Sequence, residues 1–478
     1  MPASITSAKP GQSIKRLFKH QQNTSRLWRQ EGPQARLKRL IKLQKWIREH
    51  RKDIQDAIYK DFKKPAEEVD LSEVYVVLSE LKHAISNLRK WSRPRKVEAP
   101  LALVGSQSLI QYEPKGVCLI IAPWNFPFNL SVAPLVSALA AGNTVILKPS
   151  ELTPNCSQLV ENMVLELFEP SEVAVFQGDK HIAQQLLRLP FDHIFFTGSP
   201  AVGKIVMKAA AQHLTSVTLE LGGKSPVIVD STADLADTAE KIAWGKFINC
   251  GQTCIAPDYL LVDKEVEEEL IDELRLAIDR LFDGEGLGIE NSTDYARIIN
   301  REHFDRINML LEDALDQGAI LETGGLSDHT DHYLAPTLIS RVPSNSLIME
   351  KEIFGPVLPV LTYEHLEEAI STINERPKPL ALYLFSRSQV HKNAVLTQTS
   401  SGSVAINDCV VQFMNPYLPF GGTNHSGFGK SHGFRGFQAF SNEKGIVKQK
   451  VGLTSVKPVY PPYTNLVRSA IDLLLKYF

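Results

Sequence analysis

Leu37, Leu40, Ile41, Ile47, Ile54 and Ile58 recur near a 3.6-residue period, with Arg36, Lys38, Arg39, Lys42, Lys45, Arg48, Arg51 and Lys52 filling the other faces. That spacing predicts an amphipathic helical block. Its basic side reads as a solvated face, because acidic residues follow from Asp53 and no aromatic stacking platform accompanies it. A second helix is expected over residues 72–89, ended by Pro94 and Pro100. The period then changes. Five short β-rich runs follow, VCLIIAPW at 117–124, TVILKPS at 144–150, VAVFQG at 173–178, HIFFTGS at 193–199 and SVTLEL at 216–221, separated by helix-length segments. Strand and helix alternating in this way predict an α/β fold around a doubly wound, mainly parallel sheet, whose ligand site lies beyond the carboxyl ends of the strands. Asn125, Lys148, Glu151, Gly198, Ser199 and Glu220 all stand at those ends.

Length and composition narrow the class. A chain of 478 residues exceeds what one core normally serves, so two or three domains are expected. A net charge of −2 and a pI near 6.7 name no polyanionic partner, and nucleic acid is not expected. Cys118, Cys156, Cys250, Cys254 and Cys409 are sparse and odd in number, which indicates free thiols in a reducing compartment. Cys250 and Cys254 lack a second Cys/His pair at finger-like distance, so no metal is expected. The opening MPASITSAKPGQSIKRLFKHQQ has no apolar stretch typical of a secretion signal, and no run of about 18 uncharged apolar residues occurs. The expectation is a cytoplasmic protein that does not span a membrane.

Two segments carry candidate chemistry. Glu220 opens ELGGKSP, and Cys254 closes NCGQTC. A thiolate attacks carbonyl carbon readily, and a carboxylate in reach of the same carbon can activate the water that releases the acyl group. The dinucleotide fingerprint G-x-G-x-x-G is missing after the first strand. TGSPAVGK at 197–204 fits G-x-x-x-x-G-K, but Ile205 stands where a triphosphatase needs Ser or Thr. Gly198, Ser199 and the following helix start can still hold a pyrophosphate on backbone amides.

APWNFPF at 122–128, ILKPSE at 146–151, FTGS at 196–199, TLELGGKSP at 218–226, NCGQTCIAPDY at 249–259, EIFGPVLPV at 352–360 and PFGGTNHSGFG at 419–429 together resemble the NAD(P)-dependent aldehyde dehydrogenases, in the class 3-like branch of fatty and aromatic aldehyde enzymes. The likeness spans roughly residues 15–445. It implies Cys254 as nucleophile, Asn125 as oxyanion donor with the Cys254 backbone N–H, and Glu220 as the base that hydrolyses the thioester. It also implies a cofactor site made by Trp124, Lys148, Glu151, Gly198, Ser199, Glu352 and Phe354. Glu151 beside the ribose favours NAD, and the branch tolerates NADP as well.

The resemblance implies a cofactor domain from 13–94 and 113–220, and a catalytic α/β domain from 221–405. A small β oligomerisation segment made of 95–112 and 406–445 implies a homodimer, and the tail covers 446–478. Phe126, Trp244, Phe247 and Phe413 neighbour the motifs and suit a tunnel for medium or long aliphatic, aromatic or isoprenoid aldehydes. A CoA-acylating or phosphate-reducing relative is the alternative, and members of that kind lack a carboxylate where Glu220 stands. A non-catalytic structural member would have lost Cys254, Glu220 or Asn125. In the tail, Leu466, Ala470, Ile471, Leu474 and Phe478 share one helical face opposite Arg468, Asp472 and Lys476. Such a helix can lie peripherally on a membrane, cover a hydrophobic opening or pack on its own protein.

Overall fold

The computed structural model describes residues 10–100, 103–284, 286–452 and 454–477. Phe478, expected on the tail helix, lies outside the described residues.

The five β-rich runs form the parallel strands Val117–Ile121, Thr144–Lys148, Val173–Val175, His193–Gly198 and Ser216–Leu221. Val117–Ile121 is central, between Thr144–Lys148 and His193–Gly198. A short antiparallel strand, Gly427–Phe428, closes one edge by pairing with Glu220 and Leu219. The two-residue alternation of the strands divides their side chains between two cores. Leu119, Ile146, Ile194 and Phe196 face Ile14 and Phe18 of the helix Pro10–Trp28 and Val206 of the helix Pro200–Ala211. Cys118, Ile120, Val145, Leu147 and Phe195 face the opposite layer, built by the helices Pro33–Glu49, Arg51–Phe62, Tyr75–Trp91, Asn129–Ala141 and Pro154–Leu167.

The basic amphipathic block is therefore two helices, Pro33–Glu49 and Arg51–Phe62, joined at His50. Leu40, Ile47, Ile54 and Ile58 are fully buried, whereas Ile41 is 51% exposed. Ile41 matches the periodicity but sits at the rim of the stripe. The next helical stretch starts earlier than the pattern predicts, running from Ala66 to Trp91 with a π-helical turn at Asp70–Val74.

A second sheet of seven strands takes the order Ile320–Thr323, Thr337–Ser340, Val357–Tyr363, Tyr259–Asp263, Pro226–Val229, Ala381–Phe385, Ser403–Ile406. It is parallel except at Ile320–Thr323. Its own core includes Val227, Leu260, Leu358 and Leu382. A third, antiparallel sheet joins Arg95–Val97, Gln107–Pro114 and Ser441–Lys448. Its outer strand continues to Lys448, past residue 445. Much of the stretch before it, including Val410, Phe413 and Phe420, lines a cavity between the first two sheets.

The tail helix is Asn465–Tyr477. Val467 packs inward at 8% exposure, while Leu466 stands 81% exposed. Ala470 and Ile471 of the expected face are half-buried, whereas Leu466 points away and Val467 takes its place on the packed side. Among the described residues, no helix is long and apolar enough to cross a membrane, and no group of three His, Cys, Asp or Glu residues could hold a metal ion.

Candidate active site

Cys254 follows the helix Leu235–Phe247 through a loop with an uncommon backbone. Asn249, Cys250 and Gly251 take φ values of 55°, 54° and 72° in succession. Two of the three carry side chains, so the left-handed turn must be held from outside. Asn249 Nδ2 donates to Asn125 O at 2.8 Å and to Gln252 O at 3.1 Å. Gln252 Nε2 donates to Asn249 O at 2.9 Å and Arg297 O at 3.0 Å, and its Oε1 accepts from Ile299 N–H at 2.9 Å. Gly251 is required twice over, since its φ is positive and a Cβ there would collide with the Gly355 carbonyl. The thiol loop therefore lies directly on the loop of Glu352 and Phe354, where Phe354 itself has φ 47°.

Asn125 stands beyond the strand Val117–Ile121. Its Nδ2 donates to Gln252 O at 3.0 Å, leaving its second amide hydrogen free. Glu220 is the penultimate residue of the strand Ser216–Leu221 and is 5% exposed, with the Ser431 hydroxyl facing its carboxylate. Burial drives its pKa up to about 7, against the opposing pull of the nearby Ser431 hydroxyl and the Lys430 ammonium. Ser431 Oγ makes its own hydrogen bond, a long one of 3.4 Å, to Phe420 O. Lys430 donates to the carbonyls of Gly402, Gly421 and Gly422.

Cys254 and Glu220 line one cavity of about 330 Å³. Of the five cysteines only Cys254 has appreciable exposed surface, while the other four are buried. Its thiol pKa is pushed up to about 12, first by burial and then by the Glu352 and Glu220 carboxylates. Phe126, Trp244 and Phe413 line the same cavity. Phe247 does not. It is fully buried in the core of the second sheet, edge-to-face with Phe282 at 6.3 Å.

An ion cluster supports the cavity wall behind Phe126. Lys64 Nζ, fully buried, lies 3.3 Å from Glu73 Oε1, 3.8 Å from Glu68 Oε1 and 4.0 Å from the Phe126 ring centre. Glu73 Oε2 accepts from Asn129 N–H at 2.8 Å, and Glu68 accepts from Asn249 N–H. One ammonium thus ties the helix before the π turn to both the Asn125 and the Cys254 loops. Lys64→Met leaves two buried carboxylates without their cation and is expected to lower unfolding free energy by about 3–5 kcal/mol. Urea denaturation measures this, and a loss under about 1 kcal/mol would show the cluster to be a solvated pair.

The residues expected at a cofactor lie along the carboxyl edge of the first sheet and across from it. Buried Lys148 pairs with the more exposed Glu151 at 2.5 Å. A Cβ at Gly198 would collide with the Phe196 ring, and Ser199 caps the helix Pro200–Ala211, its Oγ accepting from Val202 N–H at 3.4 Å. Glu352 lies against Gly222 and Gly223, and burial, then Asp258, raise its pKa to about 8. Trp124 meets Phe354 edge-to-face at 5.3 Å. Glycine approach, a helix N-terminus and an aromatic wall fit a dinucleotide.

Ser72, Val76, Glu80, Ser431 and His432 also line the cavity, although no motif marks them. The only sequence signal is the spacing of Ser72, Val76 and Glu80 by four residues, which puts a carboxylate within an otherwise ordinary helix face.

A cavity holding a half-buried cysteine and a buried carboxylate, bordered by a sheet edge that fits a dinucleotide, defines an oxidoreductase of the aldehyde dehydrogenase type. The aldehyde dehydrogenase family profile matches residues 3–446, and the chain belongs to that family, within its class 3-like branch. Family members oxidise aldehydes with NAD or NADP. Among similar proteins is 4,4'-diaponeurosporen-aldehyde dehydrogenase of Staphylococcus aureus, 45% identical over 428 residues, covering 90% of this chain and 92% of that one. Another is the dimeric NADP-preferring aldehyde dehydrogenase of Canis lupus familiaris, 41% identical, covering 90% of this chain and 93% of that one. The solved substrate-bound state of Staphylococcus aureus AldH superposes with a TM-score of 0.92 at 42% identity, covering 97% of this chain and 99% of that one.

Proposed function

We propose that the chain oxidises hydrophobic aldehydes to carboxylic acids through a thioester on Cys254. The carrying observation is that the least buried of the cysteines shares its cavity with a carboxylate whose pKa burial raises to about 7. A thiol held near pKa 12 must be deprotonated on demand, and Glu220, near 7, takes the proton as sulfur adds to the aldehyde carbon. The resulting oxyanion accepts from the free amide hydrogen of Asn125 and from the Cys254 backbone N–H, donors of the kind worth several kcal/mol in such sites. NAD(P), when bound, receives the hydride that leaves the carbon. Lys148, Glu151, Gly198 and Ser199 hold the adenosine and pyrophosphate portion, and Trp124, Glu352 and Phe354 confine the reactive end. Once it has passed the thiol proton on, Glu220 activates the water that hydrolyses the thioester, which favours release of a free acid over transfer to CoA or phosphate.

Phe126, Trp244 and Phe413 make the wall apolar and suit alkyl, aryl or isoprenoid chains. Glu151 favours NAD by accepting a ribose hydroxyl and repelling a 2′-phosphate. Initial rates of NADH and NADPH formation across alkanals of rising length test both points. Falling kcat/KM with length, or exclusive use of NADP, would reject them.

The reading continues to a cytoplasmic homodimer. The outer strand Ser441–Lys448 has one edge unpaired in the described chain, and a second copy completes it. On the tail helix, Leu466, Leu473 and Leu475 remain exposed, and burying such side chains is worth about 1.5–3 kcal/mol each, so the helix docks at the tunnel entrance or on a lipid surface. Removing residues 465–478 is expected to lower kcat/KM for a long alkanal, with liposomes present, while short alkanals barely respond. Equal losses with a lower Tm would make the helix part of the core.

A further inference from the structure

One end of the cavity is polar. There the helices Tyr75–Trp91 and Asn129–Ala141 meet the turn that starts the helix Gly433–Ala439, bringing together Glu80, Ser137, Ser431 and His432. Glu80 is 4% exposed. Its Oε2 accepts from Gly433 N–H at 2.9 Å, while Oε1 stands 3.7 Å from His432 Nδ1, beyond hydrogen-bond reach. His432 supplies no charge. Burial between Phe413 and Phe420 takes its pKa down to about 4, although the Phe413 carbonyl opposes that shift. Glu80, raised by burial to about 7, is therefore a carboxyl without a cationic partner inside a substrate cavity.

The same turn touches the base. Ser431 precedes His432, and its hydroxyl is near enough to Glu220 to oppose the rise of that carboxyl's pKa. Ser431 and His432 thus stand between two buried carboxyls. Around Glu220 the other ionisable groups are Lys430 and the Cys254 thiol. Around Glu80 they are His432 and, one turn along the same helix, His83, which lies against Gly433. Ser137 faces from the opposite helix.

Hydrolysis of the thioester breaks one O–H bond of water and the C–S bond. The hydroxyl stays on the acyl carbon, and the departing thiolate, a far stronger base than the Glu220 carboxylate, takes the water proton back from Glu220 and leaves as thiol. Before that step Glu220 still holds the proton it took from the Cys254 thiol as sulfur added to the aldehyde, and this carboxyl, 5% exposed, must lose it before it can activate water. We propose that Glu80 takes this proton over from Glu220 by way of the Ser431–His432 turn, resetting the base. Glu80 touches neither aldehyde nor cofactor in this scheme and acts through Glu220. The inference rests on Glu220 being the hydrolytic base.

Glu80→Gln keeps the shape and the acceptor for Gly433 N–H while removing the ionisation. In the full-length enzyme it is expected to leave the rate and amplitude of the first NADH turnover unchanged and to slow steady turnover about tenfold or more, the low end of acid–base effects. The acyl adduct should accumulate by intact mass, and small diffusible buffers such as formate or imidazole should restore turnover in the variant but not accelerate the wild type. Glu80→Asp, which keeps a carboxyl, should retain more turnover than Glu80→Gln at equal Tm. Unimpaired turnover, equal loss of burst and steady state, or a deficit that no buffer restores would overturn the relay. An adduct in Glu220→Gln without one in Glu80→Gln rejects the relay alone, and no adduct in either rejects the hydrolytic role of Glu220 beneath it.

Discussion

Cys254→Ala is expected to abolish NADH formation and to leave cofactor binding intact. Hydride cannot leave a free aldehyde carbon without the electron pair that the thiohemiacetal oxyanion supplies, and only sulfur addition creates that oxyanion. No other thiol can substitute. Cys250, four residues away, is fully buried, with Sγ 3.4 Å from Tyr295 Oη, and its own pKa is pushed up to about 12 by burial. The substitution removes a cavity-facing group and leaves the Asn249–Gln252 hydrogen bonds and the Gly251 contact untouched, so the fold and the cofactor edge should persist. NADH absorbance measures the first effect and cofactor titration by calorimetry the second. Substantial remaining dehydrogenase activity would remove Cys254 from the reaction.

Glu220→Gln retains a single burst of NADH and slows steady turnover by about 10²–10⁴-fold, the usual contribution of a positioned base. Acylation survives at a reduced rate because hydroxide or buffer entering the cavity can take the thiol proton in place of Glu220, whereas hydrolysis needs a water activated at the acyl carbon itself. The pH profile carries the same signature. Burial raises the Glu220 pKa to about 7, so the carboxylate is the minor form below that value and the wild-type rate falls with acidity. In the Gln variant that limb should flatten. Stopped-flow absorbance reads the burst, and intact mass reads the trapped acyl group. A variant with normal turnover, or one that accumulates no acyl adduct, would remove Glu220 from hydrolysis.

The parallel strands were legible because each is a short apolar run bounded by turn residues, and burial on both faces leaves little polar interruption to confuse. That Glu220 and Cys254 share a cavity, with Asn125 bonded to the Cys254 loop, was legible because all three sit in runs whose neighbours constrain the backbone. Phe247 was misleading: three residues from Trp244 on one helix, it turns into the sheet core while Trp244 meets the cavity. Proximity in sequence does not say which way the last turn of a helix points. Glu80 and His432 escaped notice for the opposite reason. They are about 350 residues apart, and only the packing of two helices on a distant turn makes them neighbours. Val467, not Leu466, packs inward because helical periodicity specifies a stripe only to within the angle of one residue.

Gly251 against Gly355 has a mechanical consequence. Two main chains in contact, one in a left-handed run and the other beside the positive φ of Phe354, move as a unit, since neither has a flexible side chain between them to absorb displacement. A displacement of Phe354 would therefore press on the segment that carries Cys254. For protein engineering, this divides the pocket into replaceable upholstery and fixed frame. Phe126, Trp244 and Phe413 can be exchanged to change which chains fit, while a side chain introduced at position 251 would detune substrates of every length alike.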